Sequence, residues 1–164
     1  MIKLFGTLLI VSSSSALGFL KSQSLKKRSD SLSQLVSALV LLETEISYGQ
    51  KSLKDAFLSI GASENMPFFT LVSEKIGNMS VSDAFSDSIK CCDMCLSGTD
   101  NIALMEFAST LGSLDTASQI KSITHTKELL SIAQKEAYEY YKKYGRFYRN
   151  MGLLLGILFS LILF

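Results

Sequence analysis

The apolar positions of this chain fall into distinct patterns, and each predicts a different kind of helix. At the N-terminus, LFGTLLIVSSSSALGFL runs from Leu4 to Leu20 without a charged residue. As a helix it is about 25 Å long at 1.5 Å per residue, slightly short of a hydrocarbon core of roughly 30 Å. Ser12 to Ser15 weaken the run, although a serine hydroxyl can bond its own helix backbone and be tolerated in lipid. At the other end NMGLLLGILFSLILF, from Asn150 to Phe164, is also uncharged. Counting Phe147 and Tyr148, it reaches about 27 Å. After the first run, Leu25, Leu32, Leu35, Leu39, Leu42 and Ile46 follow a heptad seam. That seam predicts a helix continuing to about Tyr48. Val36 and Val40 widen the stripe, as in a helix buried in a bundle, and Gly49 is the expected stop.

Four short helices come next. Ser52 is placed to cap one carrying Leu53, Ala56, Phe57 and Ile60, with Gly61 ending it. Pro67 suits the first turn of a helix carrying Phe68, Leu71, Val72 and Ile76, closed by Gly77. Ser80 and Asp83 resemble a capping box for a helix burying Val81, Ala84, Phe85 and Ile89. Thr99 or Asp100 caps the fourth, with Leu104, Phe107, Ala108 and Leu111 inward and Gly112 as terminator. Asp115 then caps a long helix through Ile120, Ile123, Leu130, Ala137 and Tyr144 into the second apolar run. No stretch alternates with period two. The expected fold is all-α: a bundle of short helices clasped by two long helices that continue into terminal transmembrane spans. The expected organisation is an N-terminal span over 1–20, a helical domain over 21–146 and a C-terminal span over 147–164.

The flanks of the two runs supply a topology. Only Lys3 precedes the first run, whereas Lys21, Lys26, Lys27 and Arg28 follow it. A cleaved signal peptide carries its positive charge first, so the reversed asymmetry favours an uncleaved anchor over that alternative and over a buried core helix. Before the second run lies YEYYKKYGRFYR, with five of the six tyrosines of the chain. Rings and cations mixed in this way, Tyr144 and Tyr148 with Lys142, Lys143, Arg146 and Arg149, mark a membrane-interface belt. The competing reading packs the rings into a core. Both cationic flanks face the middle of the chain, so the positive-inside rule expects the helical domain in the cytosol and both termini across the membrane. Gly6 and Gly18 in the first span and Gly152 and Gly156 in the second, the latter two a Gly-x-x-x-Gly pattern, could allow close helix packing.

Composition narrows the function. With 164 residues the chain has one modest domain's length. Its mean hydropathy of +0.29 is high for a soluble protein of this size. A net charge of +1 disfavours a nucleic-acid partner, which requires a basic surface to displace counterions. Three cysteines cannot close a disulfide framework. Cys91, Cys92 and Cys95 lack the second ligand pair of a zinc site, and His125 is the only histidine. A redox pair at Cys92 and Cys95 stays open, without the βαβ surroundings of a thioredoxin. Glu43 and Glu45 point to different sides of a helix, and there is no phosphate-binding glycine loop. No enzyme activity, cofactor, metal or small-molecule substrate is expected.

Three segments carry a resemblance. The first is Leu35, Ala38, Leu39, Leu42, Glu43, Glu45, Ile46, Tyr48 and Gly49, followed by Leu53 and Ala56. The second is Leu111, Gly112, Asp115, Gln119 and Lys121, and the third is Tyr148, Arg149, Gly152 and Gly156 before the apolar tail. Their order, with a span at each end, resembles the stage III sporulation protein AB family of endospore-forming bacteria. Lys51 and Ser52 stand where that family commonly has Thr-Pro, and Ser118 where it often has glycine. The resemblance implies a non-enzymatic platform in a transenvelope complex between mother cell and forespore. It further implies a helical domain similar to the membrane platform proteins of type II secretion and type IV pilus machines. The implied partners are the membrane, a cytosolic secretion-type ATPase of the same operon and other membrane proteins of the complex. The implied location is the mother-cell side of the outer forespore membrane. The ATPase contact is expected on the short helices around Lys51, Lys54, Asp55, Asp83 and Asp87. A membrane-anchored adaptor or sensor in an unrelated pathway is the alternative.

Overall fold

The computed structural model describes residues 2–48, 52–64, 66–111 and 115–163, with side chains described from Gly6 to Ile162. Among these the chain forms helices and no strand: α1 (Ile2–Tyr48), α2 (Leu53–Ser63), α3 (Pro67–Lys75), α4 (Val81–Cys91), α5 (Gly98–Thr110) and α6 (Thr116–Leu163). The helices start where the chain provides side-chain acceptors for orphan backbone N–H groups. Ser52 Oγ accepts from Asp55 N at 3.2 Å to open α2, and Ser80 Oγ accepts from Asp83 N at 3.1 Å to open α4. Pro67 occupies the first turn of α3. The Asp115 carboxylate accepts from Ser118 N at 3.3 Å at the start of α6. Hydrogen bonds from the Ser118 hydroxyl and then from its backbone N–H hold Asp115 below the usual carboxylate range.

Two helix ends depart from the sequence reading. The cap of α5 is Ser97, not Thr99 or Asp100. Ser97 Oγ accepts from Asp100 N at 3.2 Å, and the Asp100 carboxylate accepts from Ser97 N at 2.8 Å. Asp100 is thus the third-position partner of a reciprocal box, and two orphan donors are satisfied at once. Gly61 does not end α2, which runs on to Ser63. It is buried because α3 passes close by: a Cβ there would stand 2.8 Å from the backbone nitrogen of Thr70. Gly77, at φ +109, turns the chain after α3. The expected stops at Gly49 and Gly112 lie outside the described residues.

By internal contacts the chain divides into two units, one comprising Asp30–Gln134 and the other Met1–Ser29 with Lys135–Phe164. The Asp30–Gln134 unit has a core of aromatic rings. Phe57, Phe68, Phe69, Phe85 and Phe107 are all fully buried. Phe85 is central, with ring centroids 5.6 Å from Phe57, 5.4 Å from Phe68, 6.4 Å from Phe69 and 6.1 Å from Phe107, all edge-on. Edge-to-face contact sets the positive rim of one ring against the negative face of another. From the seam of α1, Leu32, Leu35, Leu39 and Leu42 are buried, joined by Ala38. Val40 does not widen this stripe; it is exposed, since a turn of 3.6 residues carries it past the buried face. From α6, Ile123 and Leu130 are buried. The two helices are also joined by charge: Lys127 Nζ lies 2.6 Å from a Glu43 carboxylate oxygen, and Thr124 donates to the other at 3.1 Å. The Lys127 bond, helped by Thr124, holds Glu43 below the usual carboxylate range despite partial burial.

Among the described residues no helix is long and apolar enough to cross a membrane. Ser12 to Ser15 dilute the first apolar run, and Arg149 and Asn150 cut the second. The expected spans over 1–20 and 147–164 both extend into residues 1–5 and 163–164, which lie outside the described side chains.

Candidate functional site

In the unit formed by the chain's two ends, α1 and α6 run antiparallel at very short range, and glycine makes this possible. A Cβ on Gly18 would stand 2.5 Å from the Tyr148 carbonyl oxygen and 3.0 Å from Gly152 Cα. One on Gly152 would stand 2.7 Å from the Ser14 carbonyl oxygen, and one on Gly156 would stand 2.9 Å from Val11 Cα. These obstacles are backbone atoms, which cannot swing aside. Ser14 Oγ donates to the Gly152 carbonyl oxygen at 2.7 Å and ties the two helices at the closest approach. Small residues four apart on both helices, Ser14 and Gly18 against Gly152 and Gly156, are the geometry by which apolar helices bring their backbones together. The Gly152–Gly156 spacing was visible in the sequence. Gly18 is legible there too as a small residue of the first run, whereas Ser14, four positions before it, carries the same small-x-x-x-small signal and is legible only from the structure.

The outward surface of this helix pair has the opposite character. Leu8, Leu9 and Leu17 are exposed by 68%, 66% and 70%, and Leu161 and Ile162 by 75% and 71%. Phe19, Leu20, Leu153, Leu154, Leu158 and Phe159 are also exposed. Large side chains face out and small ones face in. The serines do not leave polar groups open in this surface: Ser12 donates to the Leu9 carbonyl at 3.1 Å and Ser13 to the Ile10 carbonyl at 3.0 Å.

Next to the apolar tips in sequence lies the collar of cations and rings. Lys21, Lys26, Lys27, Lys142, Lys143, Arg146 and Arg149 are exposed, and Arg28, Tyr144 and Tyr148 are half-buried. Along α6 the Tyr140 and Tyr144 ring centroids are 4.6 Å apart, and Lys143 Nζ lies 5.2 Å from the centre of the Tyr144 ring. A cation over a ring face is attracted by the ring quadrupole. The Tyr140 and Tyr148 hydroxyls meet at 3.5 Å, and this contact pushes the Tyr140 hydroxyl up.

The residues expected to meet an ATPase are dispersed over the Asp30–Gln134 unit, and most have local duties. Lys51 lies outside the described residues, and Lys54 is exposed on α2. Asp55 and Asp83 each take a hydrogen bond at 2.6 Å from the serine that caps their helix. Asp87 pairs with Lys75 at 2.7 Å, which lowers Asp87 and raises Lys75 from their ordinary values. Cys91, Cys92 and Cys95 are not in disulfides. Burial pushes Cys92 up, away from the thiolate form that redox chemistry requires. His125 is exposed on α6. Among the described residues no group of His, Cys, Asp or Glu stands where it could hold a metal ion.

Three comparisons with known proteins agree with one another. Residues 3–164 match the family model described as stage III sporulation protein AB. The stage III sporulation protein AB of Bacillus subtilis strain 168 is 30% identical over 99% of this chain and 99% of its own length. A solved structure of a stage III sporulation protein AB, 30% identical, superposes with a TM-score of 0.63 over 70% of this chain and 96% of its own.

Proposed function

The chain belongs to the stage III sporulation protein AB family, and from that membership we propose that it is a non-catalytic membrane platform of a sporulation-specific transenvelope complex. In this reading the two ends enter the bilayer as one helix pair. The collar lies at the headgroups, and the Asp30–Gln134 unit stands in the cytosol, where a secretion-type ATPase engages it. The complex joins mother cell to forespore, and the helical unit sits on the mother-cell side.

One observation carries the membrane part: small residues inside and bare leucine, isoleucine and phenylalanine outside. In water that arrangement forgoes burial of roughly 25 cal/mol for each Å² of apolar surface left exposed. In lipid there is no such loss, and close backbone approach supplies the association. The described apolar stretches, residues 6–20 and 150–162, are about 22 and 20 Å long as helices. A shorter stretch is accommodated by local thinning and by long cationic side chains reaching the interface. Arg149 of α6 and Lys21 of α1 stand at the same edge of the apolar surface, since Gly18 lies against Tyr148 and Gly152.

The test is a pair of measurements on sporulating cells. After an alkaline carbonate wash the tagged chain should stay with the membranes, and its central unit should resist protease added outside spheroplasts. Crosslinking before solubilisation should capture a secretion-type ATPase. A chain released by carbonate removes the anchor. A chain retained without any ATPase in the crosslinked fraction removes the platform role and leaves the anchor standing.

A further inference from the structure

Beside the glycine contact, the same unit contains an open groove of ≈ 510 Å³. That size falls within the roughly 300–1,000 Å³ of small-ligand sites. Its lining is a single stripe of α6. Lys142, Arg146 and Arg149 supply the charge and Tyr138 and Tyr141 the rings, while Ser22 of α1 closes the far side. Gly145 forms the floor, where a Cβ would meet the Tyr141 ring at 2.8 Å and Ser22 Oγ at 3.4 Å. A larger residue there would fill the groove.

The charge of this stripe is unusual. Lys142 and Arg146 are four apart on one helix face, and Arg149 follows within the next turn. Like charges so placed repel and cost a helix a few tenths of a kcal/mol per pair. Among the described residues no carboxylate lines the groove. A bound anion removes the repulsion and adds charge-assisted hydrogen bonds. A guanidinium matches the oxygens of a phosphate with two parallel donors, and the Ser22, Tyr138 and Tyr141 hydroxyls can each donate one more. Position narrows the source. Arg149 precedes Leu153 by one turn of α6, and Ser22 follows Gly18 by one turn of α1. The cationic groove therefore borders the bare apolar surface that begins at Leu153, Leu154 and Leu20. A ligand with a phosphate in the groove and hydrocarbon along those leucines has the chemistry of a phospholipid.

We propose that the groove of Lys142, Arg146, Arg149, Tyr138, Tyr141 and Ser22 seats the phosphate headgroup of an anionic phospholipid. This rests on the membrane reading above, and the experiment separates the two. The full chain in neutral detergent micelles is titrated with phosphatidylglycerol or phosphatidylcholine, and bound lipid is counted by native mass spectrometry. Micelles make that count independent of insertion into a bilayer. Flotation of the same preparation with neutral phosphatidylcholine vesicles reports the anchor separately.

Phosphatidylglycerol should bind at about tenfold lower concentration than phosphatidylcholine, given charge-assisted bonds from two or more cations. Arg146→Gln should reduce that preference about fivefold, the equivalent of one cation at an anionic headgroup. Lys143→Gln removes the same charge from the adjacent position outside the groove and should change it less than about twofold, as for a screened surface charge. Equal losses for the two variants would mean a diffuse field and overturn the site. So would equal binding of the two lipids, the outcome expected if the groove instead receives a helix of another protein. Displacement of phosphatidylglycerol by millimolar inorganic phosphate would assign the groove to free phosphate and overturn the lipid. Failure to float, with the lipid preference intact, would overturn only the anchor.

Discussion

Gly18→Ala adds one methyl group, and two physical effects give it opposite signs. In an open helix, alanine is better than glycine by about 1 kcal/mol, because glycine loses more backbone freedom on folding. If nothing lay against Gly18, the substitution would stabilise the chain. The new Cβ instead stands 2.5 Å from the Tyr148 carbonyl oxygen. A carbon and a carbonyl oxygen meet comfortably at about 3.3 Å, so α6 would have to retreat by about 0.8 Å. The Ser14–Gly152 hydrogen bond, at 2.7 Å, would lengthen toward about 3.5 Å and cease to be useful. Overpacking of this kind costs about 1–3 kcal/mol, and the lost bond about 1 kcal/mol more. Against the propensity gain, the net expectation is a loss of roughly 1–3 kcal/mol. The assay is energy transfer between dyes at Phe19→Cys and Phe147→Cys, both exposed beside the contact, with Cys91, Cys92 and Cys95 replaced by serine. Titrating sodium dodecyl sulfate into neutral micelles separates the helices, and the variant's midpoint should fall. Gly152→Ala should act in the same direction, since its Cβ meets the Ser14 carbonyl oxygen at 2.7 Å. A midpoint that rises, as propensity alone requires, would refute the close approach.

Other consequences concern the Asp30–Gln134 unit. Phe85→Ala removes the ring at the centre of the aromatic cluster and should lower stability by about 3–5 kcal/mol, read as a lower urea midpoint or faster proteolysis of the short helices. Ser88 is fully buried and its hydroxyl has no hydrogen-bond partner among the described residues; Ser88→Ala should therefore stabilise by about 1 kcal/mol, measured by the same urea titration. Glu43 is held low by Lys127 and Thr124, so its contribution is present above its unfolded pKa of about 4.3 and is lost as pH falls through the lower folded value. Glu43→Gln should cost about 1 kcal/mol at pH 7, at the upper end for a partly exposed pair. The gap between wild type and variant should close below about pH 4; a gap constant with pH would show that the pair contributes nothing through charge.

The sequence pattern was most informative where one solvent governs a whole element. In the Asp30–Gln134 unit the seam leucines Leu32, Leu35, Leu39 and Leu42 and the expected phenylalanines Phe57, Phe68, Phe85 and Phe107 are inside, because each sits at a helical spacing that burial explains; Phe69, outside that spacing, is buried as well, while Leu71, Ile76, Val81 and Ile89 are only half-buried. The departures have local causes. Ser97 was overlooked as a cap because Gly98 follows it and reads as loop, yet an aspartate at the third position completes the box. Gly61 reads as a terminator by residue type, whereas it is a contact point with α3, a partner remote from the local pattern. In the other unit, periodicity says little: leucines occur on most faces, and the informative residues are those without side chains. The groove was illegible because it depends on Ser22 and Gly145, 123 positions apart (145 − 22), facing each other.

The same two helices follow opposite packing rules in the two units. Along α1, Gly18 and Ser14 face the partner helix while Leu8, Leu9 and Leu17 face out; after Ser29, Leu32, Leu35, Leu39 and Leu42 face in. Along α6, Ile123 and Leu130 are inside, whereas beyond Lys135 the buried positions are Ala137, Gly145, Gly152 and Gly156. The membrane reading proposed above accounts for the two rules by two solvents. Water drives large apolar side chains inward in proportion to the area hidden, while in lipid those side chains gain nothing by burial and small residues decide how closely helices approach. The change of rule falls within continuous helices: α1 has neither glycine nor proline between Gly18 and Gly49, and α6 has neither between its start and Gly145. The platform role proposed above would draw on this continuity to pass mechanical work. Inserting Gly-Ser after Arg28 should leave the core of the Asp30–Gln134 unit and the Gly18–Gly152 contact intact, yet abolish sporulation; undiminished sporulation would show that α1 acts as a tether and not as a strut.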